Sequence, residues 1–102
     1  MPRPDTLTPV QHRWLKQQAH HLKPIVLIGQ HGLTEPVLGE IELALTHHEL
    51  IKVRLNGGDH ALRDNQIQSI LERTEASLVQ RIGNIAAIYR HNPKRKEPLR
   101  LP

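Results

Sequence analysis

The chain has 102 residues, a formal net charge of +4 with its eight histidines neutral, one tryptophan, one tyrosine and no cysteine. This length fits one domain with a modest core and little room for a deep substrate pocket, and the lack of cysteine excludes disulfides and thiolate metal sites. No stretch approaches the roughly 20 apolar residues of a membrane span, so we expect a cytoplasmic protein with no membrane contact.

The first predicted elements are a leader, a helix and a strand. Residues 1–6 contain two prolines and are predicted to be a disordered leader. Thr8 and Pro9 fit the cap and first position of a helix, which should end before Pro24 because proline disfavours the α conformation in the residue before it. The apolar run at 25–28 then predicts a buried parallel strand, covered on both faces.

Two further helices flank a second strand. Thr34 can cap the second helix, which has an apolar stripe, and a third helix should run from about residue 61 to residue 74. Strand 50–55 alternates, with Lys52 and Arg54 on the side opposite its apolar residues. The residues predicted to face the core from the two helices are Val37, Leu38, Ile41, Ala44 and Leu45, followed by Leu62, Ile67, Ile70 and Leu71.

The last two strands, 77–82 and 85–90, are joined by Gly83-Asn84, which is a strong signal for a tight hairpin. The element order is therefore α-β-α-β-α-β-β. This order predicts an α/β fold, a small sandwich of helices on a mixed four-stranded sheet. After Asn92 the periodicity stops, and residues 92–102 are predicted to form a basic C-terminal tail.

The loop Gly29-Gln30-His31-Gly32 lies between the first strand and the second helix. Its glycines allow another backbone to come close, and the following helix N-terminus attracts anions, so the loop could clamp a phosphodiester backbone. A plain tight turn explains the pattern almost as well.

Three blocks resemble a known family. These are residues 22–34 (LKPIVLIGQHGLT), residues 47–54 (HHELIKVR) and Arg81-Ile82-Gly83-Asn84 leading into the last strand. Together they are similar to the CRM domain, the YhbY-type RNA-binding family. The resemblance implies a stand-alone bacterial domain over residues 7–91 that binds RNA and associates with precursors of the large ribosomal subunit. It also implies a fold similar to that of the C-terminal domain of translation initiation factor three.

The resemblance carries the family's GxxG loop over to Gly29, Gln30, His31 and Gly32, of which the middle two vary in the family. A basic surface around the loop would supply further RNA contacts, although a solvated strand face or a solvated tail fits the same residues. The basic candidates are Lys23, Lys52, Arg54, Arg13, Lys16, Lys94, Arg95 and Lys96.

The leading hypothesis is an rRNA-binding factor for large-subunit assembly that is not an enzyme and needs no cofactor, metal or small-molecule substrate. Adjacent histidines such as His47 and His48 point about 100° apart on a helix, so each pair offers one metal ligand easily and two poorly. One alternative is an adaptor whose acidic second helix docks on a basic ribosomal protein. Another is a module that regulates translation by binding nucleic acid. The acids of that adaptor surface would be Glu35, Glu40, Glu42 and Glu49.

Overall fold

A computed structural model describes residues 7–102, so the leader predicted at residues 1–6 lies outside the described part of the chain. The elements are α1 (Pro9–Ala19), β1 (Pro24–Leu27), α2 (Glu35–His48), β2 (Leu50–Arg54), α3 (His60–Thr74), β3 (Ser77–Ile82) and β4 (Ile85–Tyr89). The predicted element order is confirmed. Among the described residues, no helix is both long and apolar enough to cross a bilayer.

The four strands form one mixed sheet in the order β1-β2-β4-β3. β1 runs parallel to β2, whereas β4 is antiparallel to both of its neighbours. Local signals explain the boundaries. Thr8 and Gln11 form the capping box of α1, and Gly83 adopts φ 58° in the hairpin turn. The α/β class and the mixed four-stranded sheet are therefore as predicted.

The sheet is covered on both faces, by different elements. α2 and α3 pack on one face, where they enclose the larger apolar cluster. α1 packs on the other face over β2 and β3. Apolar residues of the C-terminal segment, residues 90–102, pack on the same face. The second cluster contains Leu15, Ala19, Leu50, Val79, Ala87 and Tyr89, with Trp14, Leu99 and Leu101 packed against it.

The prediction that strand β1 is covered on both faces is wrong. Val26 and Ile28 are buried, but Ile25 is 52% exposed and Leu27 is 58% exposed. The strand lies at the edge of the sheet, and α1 packs over β2 and β3 instead. One side of β1 therefore remains an apolar surface in contact with solvent.

The inward placement predicted for Leu62 is also wrong, because this side chain is 41% exposed. It lies in the first turn of α3 against the loop before the helix, where a β carbon at Gly58 would collide with it. Leu62 thus covers a loop backbone, while Ile67 and Ile70 of the same helix reach the core.

Glu49 is fully buried, so its predicted place on an acidic outer surface is wrong. It caps the C-terminus of α2 with φ 63°, where the chain turns into β2. Its Oε1 accepts hydrogen bonds from Arg95 Nη1 (3.2 Å) and the Leu99 amide (3.0 Å). Its Oε2 lies 3.3 Å from both the Asn92 amide and His91 Nδ1. These contacts hold the C-terminal segment against the domain.

Tyr89, at the end of β4, is buried beside the same carboxylate. Burial, the negative charge of Glu49 and a hydrogen bond to it together raise the pKa of Tyr89 to about 12. The phenol therefore stays protonated in the folded protein at pH values where a solvated tyrosine ionises.

We predict that Glu49→Ala lowers the free energy of unfolding by about 3 kcal/mol, because the partly buried Arg95 guanidinium and two backbone amides lose their acceptor. Urea denaturation at neutral pH measures the change. Glu97→Ala, which removes an exposed acid from the same segment, should change stability by less than about 0.5 kcal/mol. Equal stability of the two variants would contradict the anchoring role of Glu49.

We also predict that stability falls between pH 10 and about pH 12, because the unfolded chain releases the Tyr89 proton in this range while the folded protein retains it. The loss should reach about 3 kcal/mol. Denaturation across this range measures it, and Tyr89→Phe should remove this part of the pH dependence. Since Tyr89 is the sole tyrosine, tyrosinate absorbance reports its ionisation directly.

Candidate functional site

The loop at residues 29–32 connects the edge strand β1 to the N-terminus of α2. The strand pairing ends where the Ile28 amide donates to the Arg54 carbonyl at 2.8 Å. The Gly32 amide then closes the turn by donating to the Gly29 carbonyl at 3.0 Å, and the Thr34 hydroxyl accepts from the Val37 amide to cap α2. The loop therefore delivers the chain directly to a helix start, where backbone amides favour anions.

The two glycines of this loop have different roles in folding. Gly32 adopts φ 76°, in the left-handed region where a side chain costs about 1–2 kcal/mol. Gly29 has no such conformation, and a β carbon there would have no neighbour within 4 Å. The fold thus needs glycine at position 32 but would accept a side chain at position 29, where glycine instead leaves the backbone open to approach.

Gln30 and His31 lie at the tip of the loop with exposed side chains. Their backbone amides donate to no acceptor within residues 7–102. Two amide donors without an acceptor in the described chain therefore lie within five residues of the start of α2. This arrangement suits the oxygen atoms of a phosphate group.

A second loop supports the first. Asn56 Nδ2 donates to the Gly29 carbonyl at 3.1 Å, and the Asn56 amide donates to Gln66 Oε1 at 3.1 Å. The Leu55 amide donates to the Asn84 carbonyl. The final hairpin turn therefore lies beside the C-terminal end of β2, the end of the sheet at which the 29–32 loop leaves β1. The sequence prediction missed Asn56 as a positioning residue. Its only sequence signal is its place in a glycine-rich loop.

Lys52 and Arg54 lie on the α1 side of β2, as the alternation predicted, opposite the buried Ile51 and Val53. Arg54 is exposed and pairs in register with Leu27 of β1, next to the 29–32 loop. Within the described chain no carboxylate lies within salt-bridge distance of either cation. The open part of the sheet therefore presents positive charge beside exposed apolar side chains.

Acidic residues are absent from the helix and the strands that form this side of the fold. Helix α1 and all four strands contain no aspartate or glutamate. On the opposite side several acids, Glu42 among them, form ion pairs within the chain. The side-chain ion pairs there are Glu35–Arg73 at 2.9 Å, Glu42–Arg90 at 2.8 Å and Asp64–Arg81.

The remaining candidates are dispersed. Arg13 and Lys16 are exposed on α1, on the same side of the sheet as Lys52. Lys23 precedes β1 and thus lies at the opposite end of that strand from the loop, at a distance of about 13 Å for four residues. Only part of the predicted set therefore surrounds the loop.

The tail cations differ from one another. Lys94 and Lys96 are exposed, whereas the Arg95 guanidinium is bound to Glu49 and its side chain is 26% exposed. Arg95 is thus a structural ion-pair partner in addition to a candidate RNA contact.

Across residues 7–102, no group of three or more His, Cys, Asp or Glu side chains could hold a metal ion.

Comparison with known proteins gives consistent results. The CRS1 / YhbY (CRM) domain matches residues 7–90. The chain is 47% identical to a Haemophilus influenzae protein named "RNA-binding protein", over 95% of this chain and 96% of that protein. It is 43% identical to a Pseudomonas aeruginosa protein named "Probable RNA-binding protein", over 86% and 85% of the two chains.

A solution structure of a Staphylococcus aureus protein has the same fold. The TM-score is 0.78 at 35% sequence identity, and the match covers 94% of this chain and 99% of that one. The described fold is thus shared over nearly the full length of both proteins.

Proposed function

The chain belongs to the CRS1 / YhbY (CRM) domain family, and on this premise we propose that it binds RNA through the 29–32 loop and the basic face of its sheet. The observation that carries the proposal is Gly29, an exposed glycine that the fold itself does not require. Its backbone is open to close approach at the place where amide donors and a helix N-terminus converge.

In this proposal the loop holds the RNA backbone. A phosphate group crosses Gly29 and accepts hydrogen bonds from the amides of Gln30 and His31, while the N-terminus of α2 stabilises its negative charge. Lys52 and Arg54 neutralise neighbouring phosphates from the adjacent strand. Arg13 and Lys16 extend the positive surface along α1, and Lys94 and Lys96 add cations from the C-terminal segment.

Few aromatic side chains are available for stacking bases. Tyr89 is buried, and Trp14 is half-buried against the second apolar cluster, which lies between α1 and the sheet (the α1 cluster). Readers of single-stranded RNA usually stack bases on aromatic rings. Recognition here should therefore depend on backbone and shape, which favours a structured RNA. We propose that this RNA is rRNA in cytoplasmic precursors of the large ribosomal subunit, as the family resemblance implies, and that the protein performs no chemistry on it.

The adaptor alternative has less support from the geometry. It needs exposed acids along α2, yet Glu49 is buried, and Glu35 and Glu42 pair with arginines of this chain. A basic partner would have to displace those arginines. On the opposite side, α1 and the strands offer cations and contain no carboxylate, which favours a polyanion as the partner.

We predict that Gly29→Asp weakens binding to a structured RNA by at least about tenfold, because a carboxylate then occupies the phosphate position. Fluorescence anisotropy over a range of salt concentrations measures this. Gly39→Asp is the matched control, because Gly39 is also exposed and free of neighbours but lies on α2 away from the loop.

Replacing Lys52 and Arg54 by alanine should reduce the slope of the logarithm of the RNA-binding constant against the logarithm of salt concentration by about 1 to 2.

Full affinity in a folded Gly29→Asp protein would exclude the loop as the clamp. A loss of equal size in Gly39→Asp would show that added negative charge, and not its position, weakens binding.

We further predict that the protein sediments with precursors of the large subunit in cell extract and crosslinks to their rRNA. The 29–32 loop variant Gly29→Asp should reduce this co-sedimentation, and Gly39→Asp should not. Sequencing of the crosslinked RNA identifies the partner. Crosslinks confined to messenger RNA would contradict the assembly role and support translation regulation instead.

A further inference from the structure

A groove of about 390 Å³ lies at the other end of β1 from the 29–32 loop. It is formed by the C-terminal end of α1, the first residues of β1 and β2, the end of α2 and the C-terminal segment. Its apolar walls include Leu22, Ile25, Leu50 and Leu99, of which Ile25 is 52% exposed. The volume falls within the range of sites that bind small molecules.

Every ionisable side chain that lines this groove is basic. The four are His21, Lys23, His48 and Arg95, and no aspartate or glutamate contributes to the lining. Glu49 lies beneath the surface, fully buried and bound to Arg95. An apolar floor beside Lys23, Arg95 and two histidine rings is complementary to a molecule with a flat aromatic face and an attached anion, which is the chemistry of a nucleotide.

Arg95 is held in place before any ligand binds. Its Nη1 donates to Glu49 Oε1 at 3.2 Å and to the His48 carbonyl at 3.3 Å. A fixed guanidinium plane can stack on a base, and little side-chain entropy remains to be lost on binding. In a chain whose Tyr89 is buried, such an arginine provides a stacking surface that aromatic residues do not.

We infer that this groove binds one unpaired nucleotide of the RNA, with its base against Ile25, Leu99 and the Arg95 guanidinium and its phosphate at Lys23. The inference rests on the proposed RNA binding and extends it. Ile25, in β1, and Gly29, just beyond its end, are four residues apart, or about 13 Å for extended chain. Each nucleotide of one DNA strand advances about 3.4 Å along the helix axis, so this span corresponds to about four nucleotide steps along the axis of such a helix. One RNA can therefore place helical backbone on the loop and an unpaired nucleotide in the groove.

The test compares a short blunt RNA duplex with the same duplex carrying a single-stranded overhang. The overhang should tighten binding of the unaltered protein by about tenfold, the scale of one stacked base. Ile25→Glu should abolish this gain, because it places a carboxylate in the groove. Leu43→Glu is the matched control, since it makes the same change at an exposed leucine on α2 that does not line the groove.

A second variant protects the test against misfolding. If circular dichroism shows that Ile25→Glu is unfolded, Leu22→Glu replaces it, since Leu22 lies just before β1 and is 37% exposed.

Titration with uridine and adenosine monophosphates should shift the methyl NMR signals of Ile25 and Leu99. Ribose 5-phosphate, which lacks a base, should leave those signals nearly unchanged.

The outcomes separate the two proposals. Equal affinity for blunt and overhanging duplexes overturns the groove inference and leaves loop binding intact, as does a gain that survives Ile25→Glu. If Ile25→Glu changes the oligomeric state and not the overhang gain, the groove is a contact between copies of the chain and the inference is wrong. If the unaltered protein binds neither duplex, the proposed RNA binding itself fails.

Discussion

The buried Glu49 carboxylate holds the C-terminal segment against the rest of this small domain. Its side chain binds Arg95 and the Leu99 amide, and its backbone carbonyl accepts from the Arg90 amide at 2.9 Å as the chain leaves β4. Removing a carboxylate from water costs several kcal/mol, and several donors around one group are needed to offset this. Their geometry fixes the C-terminal segment over α1 and the start of β2.

This anchoring also affects the surface. Leu99 and Leu101 cover part of the α1 cluster, which a chain with so few aromatics would otherwise leave open. Arg95 becomes a rigid part of the groove at the start of β1. The same carboxylate therefore supports the fold and orients a cation that could meet a ligand.

Charge in this fold is divided between two sides. The side with α2 and α3 carries most acids and neutralises several of them with arginines from elsewhere in the chain. The side with α1 and the open part of the sheet has cations and exposed apolar side chains, including Leu27 and Ile82. Because β1 lies at the edge, its two ends present the 29–32 loop and the groove on one continuous margin. A polyanion following that margin would meet both.

The sequence alone determined the features that depend on neighbouring residues. Thr8 and Thr34 predicted helix starts, Gly83-Asn84 predicted the hairpin, and the alternation of β2 separated Lys52 from the core side chains, because caps, turns and strand periodicity act over a few residues. Tertiary structure alone decided that β1 is an edge strand with Ile25 exposed and that Glu49 is buried. It also showed that the fold does not require Gly29. These features depend on the order of the strands and on long-range contacts, such as the one between Glu49 and Leu99, which are 50 residues apart in the chain.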